Sequence, residues 1–326
     1  MQLIPILSTL TLLFSTSLAA YDANSKNNVA VYWGQGSNQE SLGYYCERGD
    51  VDIVVISFIN YLNSTYVGFN FGNACWGPEC PLIAADIKKC QALGIKVSLS
   101  IGGDERLGDY GCTSDADGEA AAQMLYDMFS PNGNPKVTKP FGDVTIDGFD
   151  LDIENFNQKG QIAMFKKLRK LFAKEKTLIL SACPQCPYPD SNVNDVMVDE
   201  EVQLDLVFMQ FYSNAGCSMN NKDGFANSWK TWANFMENVT NSKDMKMYVT
   251  LQASKSNEYH TNVSWVNEQL KGKMSDSFFG GIGLWDATVA TECTDTSISG
   301  VSQNYIQGMK NLLSGVYSSL AKRDEL

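Results

Sequence analysis

The sequence predicts a (β/α)8 barrel, and three observations carry that prediction. Apolar, β-branched runs recur eight times, with stretches of helix length between them. Most of these runs are continuously apolar, the pattern of parallel strands buried on both faces. One run closes on a ladder of acids, and a barrel gathers its chemistry at the C-terminal ends of its strands. A doubly wound sheet is the competing architecture. It wants a glycine-rich phosphate turn after the first strand, and Gly34-Gln35-Gly36 does not match that fingerprint.

Residues 1–20 are apolar, end in small residues and carry no Lys or Arg. Too short to span a bilayer, they read as a secretory leader cleaved near Ala19 or Ala20. The catalytic domain is expected over 21–320, with 321–326 as a tail. The eight strand-like runs are Val29–Trp33, Asp52–Ile59, Ile95–Gly102, Val144–Ile153, Thr177–Ala182, Leu204–Phe211, Lys246–Leu251 and Gly280–Trp285. Helical spacing appears in Ala84–Leu93, in Glu119–Phe129 and in Gln161–Lys174, where Ile162, Phe165, Leu168, Leu171 and Phe172 share a face. A last helix is expected over Val301–Leu320, with Tyr305, Met309, Leu312, Val316 and Leu320 on one side. The terminal Arg323-Asp324-Glu325-Leu326 is one letter from an endoplasmic-reticulum retention signal.

The chain has 326 residues, 44% hydrophobic and 19% charged, with a formal charge of −12. That charge argues against nucleic acid or an anionic membrane as partner and leaves neutral, polar substrates open. A monomer without metal or cofactor is expected. His260 is the sole histidine, which argues against a Ser-His-Asp triad and a His-rich metal site. Nine cysteines in an exported chain are mostly paired, and the odd number leaves at least one over. The sequons at Asn63, Asn238 and Asn262 agree with that route. Extracellular or cell-wall placement is expected, with the endoplasmic reticulum lumen as the alternative.

The fourth run ends Asp147-Gly148-Phe149-Asp150-Leu151-Asp152-Ile153-Glu154. Residues two apart on a strand share a face, so Asp150, Asp152 and Glu154 line one side and Phe149, Leu151 and Ile153 the other. Three stacked acids repel, and that raises at least one pKa. Glu154, at the tip, is the candidate proton donor, and Asp152 its partner. Asp150 is expected deeper, sharing a proton or hydrogen bond with Asp152. Asp147 has the wrong parity and is expected to brace the strand. Two-carboxylate glycoside hydrolysis needs acids on opposite sides of the sugar. Here all rise from one strand at ~6.5–7 Å per two residues, so a distant acid or the substrate itself must act from the other side.

These residues resemble the DxxDxDxE signature of glycoside hydrolase family eighteen, and the chain resembles the class III chitinases of plants and fungi. The resemblance covers nearly the whole mature chain. It includes Ala30-Val31-Tyr32-Trp33-Gly34-Gln35, Ser98-Leu99-Ser100-Ile101-Gly102-Gly103, Pro184-Gln185-Cys186-Pro187-Tyr188-Pro189-Asp190, Met209-Gln210-Phe211-Tyr212 and Gly283-Leu284-Trp285-Asp286, in order on successive strands. It implies random, retaining cleavage of β-1,4-linked N-acetylglucosamine polymers such as chitin, assisted by the substrate's own acetyl group. Glu154 would then protonate the leaving oxygen, Asp152 orient the N-acetyl group and Tyr212 hydrogen-bond its carbonyl. Gln210, Tyr32 and Gln35 would line the same pocket, with Trp285 as its apolar floor. Phe58, at the end of the second run, is a further binding position, although packing alone accounts for it. The resemblance also implies cis bonds at Ser57–Phe58 and Trp285–Asp286. It implies disulfides Cys46–Cys90, Cys75–Cys80 and Cys186–Cys217, leaving Cys112, Cys183 and Cys293 outside the pattern. Two alternatives stand beside that reading for this chain: an endo-β-N-acetylglucosaminidase acting on N-glycans, and a non-catalytic chitin-binding lectin or inhibitor on the same fold. Relatives of the second kind typically lose the terminal acid. Asp104-Glu105-Arg106 departs from the small residues that relatives often have after Gly103.

Overall fold

In the computed structural model, residues 20–317 are described, apart from 76, 176, 177 and 299. The expected leader, but for Ala20, and the Arg-Asp-Glu-Leu tail lie outside the described residues. Eight parallel strands close into a barrel: β1 Asn28–Trp33, β2 Ile53–Ile59, β3 Lys96–Gly102, β4 Gly148–Asp152, β5 Ile179–Ala182, β6 Leu206–Gln210, β7 Lys246–Gln252 and β8 Phe279–Trp285. Each pairs with its neighbours in sequence, and β8 returns to β1 with Asn28 opposite Gly281. The expected (β/α)8 architecture is what the chain adopts.

The apolar parity of the strands builds two layers. Ala30, Tyr32, Ile53, Val55, Leu206, Phe208 and Tyr248 fill the barrel interior. The alternate residues, Phe149, Leu151 and Ile153 among them, pack outward under the helices. Helix Gln161–Phe172 supplies Phe165, Leu168 and Phe172 to that outer layer. Helix Asp115–Phe129 starts earlier than its apolar spacing suggests, because Ser114 caps it by accepting the Asp117 N–H. Lys310 ties the last helix to the barrel floor: its Nζ lies 2.6 Å from Asp52 Oδ2, which also accepts the Val29 N–H at 2.7 Å.

The fourth strand and the last helix also depart from the sequence reading. The fourth run starts at Gly148 rather than Val144, since Gly142 at φ 57° and the Val144 N–H on Phe141 O make the preceding residues a turn. The strand ends at Asp152, so Glu154 stands just beyond it. The last helix spans Tyr305–Leu313, capped at its start by the Asn304 side chain on Gln307 N–H, with Gly315 at φ 70° beyond its end. Gln303–Asn304 pair instead with Thr294–Asp295, which keeps 301–304 out of the helix. Asp147 braces as expected: its Oδ2 accepts from the Val97 N–H and from Gln91 Nε2. The three disulfides are Cys46–Cys90, Cys75–Cys80 and Cys186–Cys217, while Cys112, Cys183 and Cys293 are free and buried. Ser57–Phe58 and Trp285–Asp286 are cis, as is Tyr188–Pro189. Among the described residues no helix is long and apolar enough to cross a membrane.

Candidate active site

A cavity of about 460 Å³ opens at the C-terminal mouth of the barrel. Of the sequence-expected residues, it brings together Glu154, Asp152, Tyr212, Gln210, Gln35, Phe58 and Trp285. Asp150 and Tyr32 lie beneath it.

Asp150 is fully buried, and register explains how it is held. It sits opposite Ser100 on β3 and Ser181 on β5. Ser181 Oγ donates to Oδ1 at 2.7 Å, Ser100 Oγ to Oδ2 at 2.8 Å, and the Tyr32 hydroxyl to Oδ2 at 3.2 Å. These hydroxyls take the place of the shared hydrogen bond expected with Asp152. Burial raises the Asp150 pKa, and the three donors pull it back. Tyr32 does not line the cavity. It is 1% exposed, wedged against Phe208 and Trp285, and acts through Asp150.

Asp152 accepts Gln210 Nε2 at 2.8 Å on Oδ1, and the same nitrogen donates to Cys183 O at 3.0 Å. Burial raises its pKa most, with Glu154 and Asp150 adding to the rise. Gly102 allows the approach that keeps Asp152 in place: at φ 122°, a Cβ there would fall 2.0 Å from Asp152 O. Glu154 is half-buried, its backbone N–H on the Tyr110 hydroxyl at 3.2 Å, and that hydroxyl donates to Gly103 O. Burial raises the Glu154 pKa first, then Asp104 and Glu105, while Arg106 opposes them. A proton is thus retained on the Asp152–Glu154 pair beyond the ordinary carboxylate range.

The opposite wall is uncharged. Tyr212 follows β6, and burial raises its phenol well above the usual value, so it stays a proton donor. The loops bearing Gln185 and Tyr212 are joined by Cys186–Cys217 and by Asn214 Nδ2 on Gln185 Oε1 at 3.0 Å. Asp190 stiffens the first of these loops by accepting the N–H groups of Gln185, Asn192 and Val193. Trp285 forms the floor, stacked on Phe58 with centroids 5.6 Å apart. Phe58 is both core and wall. Gln35 lines the cavity, but its Nε2 is held by Ser57 O at 2.8 Å and Asn70 O at 2.9 Å.

The acids in the cavity wall, Asp104, Asp152 and Glu154, all come from the ends of the adjacent strands β3 and β4. From β6, β7 and β8 come Gln210, Tyr212, Gln252 and Trp285, all neutral. Asp286 is not available there, since it caps helix Ala287–Glu292 through the Thr288 and Val289 N–H groups. Asp104 is held by Arg106, which lowers its pKa to about 2. Sequence reasoning missed Asn60, Asn70, Leu107, Gln185 and Gln252 in the wall. For Gln252 a signal existed, a polar residue closing an apolar run at the C-terminal end of a barrel strand. Among the described residues, no group of three or more His, Cys, Asp or Glu is placed to hold a metal ion.

The arrangement is an acid, a buried carboxylate, a phenol donor and an indole floor around a space fit for a sugar ring. The sequence profile of the glycosyl hydrolases family 18 matches residues 28–288. The chain is 39% identical to an endochitinase of Saccharomyces cerevisiae over 96% of its own length and 55% of that protein. It is 38% identical to chitinase 3 of Candida albicans over 90% of its length and 52% of that protein. It thus spans about half the length of these curated relatives. Among solved structures, the ICChI chitinase of Ipomoea carnea superposes with a TM-score of 0.73 at 26% identity, covering 87% of this chain and 99% of that one. A xylanase and α-amylase inhibitor protein of Scadoxus multiflorus gives 0.72 at 27%, covering 88% and 98%. On the profile match and the identity to the fungal enzymes, the chain belongs to the glycosyl hydrolases family 18.

Proposed function

We propose that the protein is an endochitinase, cleaving internal β-1,4 linkages of N-acetylglucosamine polymers with retention of configuration. The observation that carries this is the one-sided placement of the acids. With no carboxylate across the ring, the displacing atom must come from the substrate, and the carbonyl oxygen of a 2-acetamido group is within reach of C1. Glu154 gives its proton to the glycosidic oxygen as the acetamido oxygen closes on C1. Asp152 accepts the acetamido N–H, orienting it and offsetting the charge of the oxazolinium ion. Tyr212 donates to the acetamido oxygen, and Trp285 carries the sugar face. Water then attacks C1 and returns a proton to Glu154.

Names borne by the relatives support the substrate class, since the yeast protein is called an endochitinase. Because an inhibitor shares the fold, activity has to be argued from the site. Glu154 is present and opens onto the cavity, which favours the enzyme over a binding protein. Three disulfides support passage through an oxidising, secretory compartment.

The test is hydrolysis of chitin oligomers by the wild type and Glu154→Gln. Turnover in the wild type and a loss of at least ~10²–10⁴-fold in the variant are expected. An inactive wild type or an active variant defeats the proposal. Release of intact glycans from a glycoprotein, with chitin untouched, reassigns the protein to endo-β-N-acetylglucosaminidase activity.

A further inference from the structure

Stacking on an indole face holds a sugar without fixing its rotation, because dispersion contact is nearly indifferent to turning in the plane. Directional donors must do that, and Gln252 offers one beside the floor, its amide nitrogen having no acceptor among the described residues. Gln252 closes β7, in register with Trp285 on β8, and two residues after Thr250, which pairs with Gln210 on β6. It therefore stands between the strands that supply Tyr212 and Trp285. It is 8% exposed and forms part of the cavity wall.

Its carboxamide is fixed in place. Oε1 accepts the Ser254 N–H at 3.0 Å, its backbone carbonyl contacts His260 Nδ1 at 3.2 Å, and the next N–H, of Ala253, reaches Trp285 O at 2.9 Å. With Oε1 anchored behind, Nε2 has no acceptor among the described residues, and it is not one of the atoms sealed inside the protein. Gln35 and Gln210 differ: their amide nitrogens are taken by Ser57 and Asn70 carbonyls and by Asp152. A side chain this buried gains from an acceptor, and a sugar in the cavity supplies one.

We propose that Gln252 is a substrate-orienting residue, donating through Nε2–H to an oxygen of the N-acetylated sugar that lies on Trp285. This rests on the assignment of the cavity to N-acetylglucosamine units. Tyr212 and Gln252, from neighbouring strands, then fix the ring in its plane while Trp285 fixes its face.

The test uses the full chain with Glu154→Gln, which binds without turnover, and titration calorimetry with the N-acetylglucosamine tetramer. Gln252→Met and Gln252→Glu are added separately. Methionine keeps the volume and cannot donate. Glutamate keeps the acceptor for Ser254 and exchanges the amide donor for a carboxyl oxygen, with an added charge that a neutral sugar does not pair with. Both are expected to weaken tetramer binding about three- to tenfold, the worth of one neutral hydrogen bond, with an unchanged unfolding midpoint. With Glu154 intact, Gln252→Met is expected to raise KM while kcat stays within about threefold, as for a bond made equally in ground and transition states. Unchanged affinity in both variants overturns the inference. So does a loss that comes only with a lowered unfolding midpoint, which assigns Gln252 to the scaffold. If the two variants differ, Gln252→Glu decides. If Glu154→Gln alone fails to bind the tetramer, the cavity's assignment falls, and this inference falls with it.

Discussion

Asp150, Asp152 and Glu154 rise from one strand and its end, yet their surroundings divide the labour among them. Asp150 has three hydroxyls and no route to substrate, so it acts as a buried, fixed support under Asp152. Asp152 has one carboxamide donor, Gln210, while burial and the carboxyls of Glu154, Asp150 and Asp190 all push its pKa up. Its ionised form is therefore penalised in the folded state, and the sign of that penalty is testable. A carboxyl whose folded pKa lies above its unfolded one binds protons more tightly when folded, so stability falls as pH rises between the two values. The fall begins near the ordinary aspartate pKa of about 3.9 and levels off at the raised one. Asp152→Asn removes the titrating group and keeps the shape. It is expected to abolish most activity while raising the unfolding midpoint at neutral pH. That gain should shrink to nothing on acidification below about pH 4. Calorimetric midpoints of both proteins from acid to neutral pH check this. A gain independent of pH would assign the effect to packing.

At the scale of elements, strands were legible and rims were not. Parity alone placed Phe149 and Leu151 outward and Asp150 and Asp152 inward, since side-chain direction on a strand is set by the backbone. Tyr32 shows the limit of parity. The resemblance put it in the pocket wall, but depth within the barrel depends on strand register, which one sequence does not carry, and it lies below the cavity. Gln252 and Leu107 escaped for a related reason: rim residues come from loops and strand ends whose course is set by distant partners, here Asn60 on Leu107 O and the Ala253 N–H beside Gln252 on Trp285 O. Of the disulfides, Cys186–Cys217 joins two of those rim loops. Cys46–Cys90 closes a separation of 44 residues and Cys75–Cys80 one of 5. On chain entropy, the first should contribute about 4 kcal/mol and the second about 2 kcal/mol. Paired Cys→Ser replacement is thus expected to lower stability more at Cys46–Cys90, measured by denaturant unfolding. Equal losses would show that loop length does not set the effect here.

At the scale of the molecule, barrel closure and net charge constrain the substrate together. Eight strands converge on one mouth, so a polymer bound there would lie across it, with acids on the β3–β4 side and neutral groups from β6 to β8. The chain carries 37 acidic residues against 25 basic ones. Such a surface attracts cations and is indifferent to a neutral glycan, whose binding rests on stacking and hydrogen bonds at short range. Raising salt from 0.05 to 0.5 M shortens the screening length from about 14 Å to about 4 Å, which removes long-range steering and leaves contacts intact. For neutral chitin oligomers, kcat/KM is accordingly expected to stay within about twofold across that range. Partially deacetylated oligomers, cationic at acidic pH, should show kcat/KM falling as salt rises, because steering to the acidic surface is lost. Parallel rates on the two substrates across the salt series separate the cases. A neutral oligomer that lost tenfold would mean that charged contacts carry its binding, against a cavity wall in which Gln210, Tyr212, Gln252 and Trp285 are neutral.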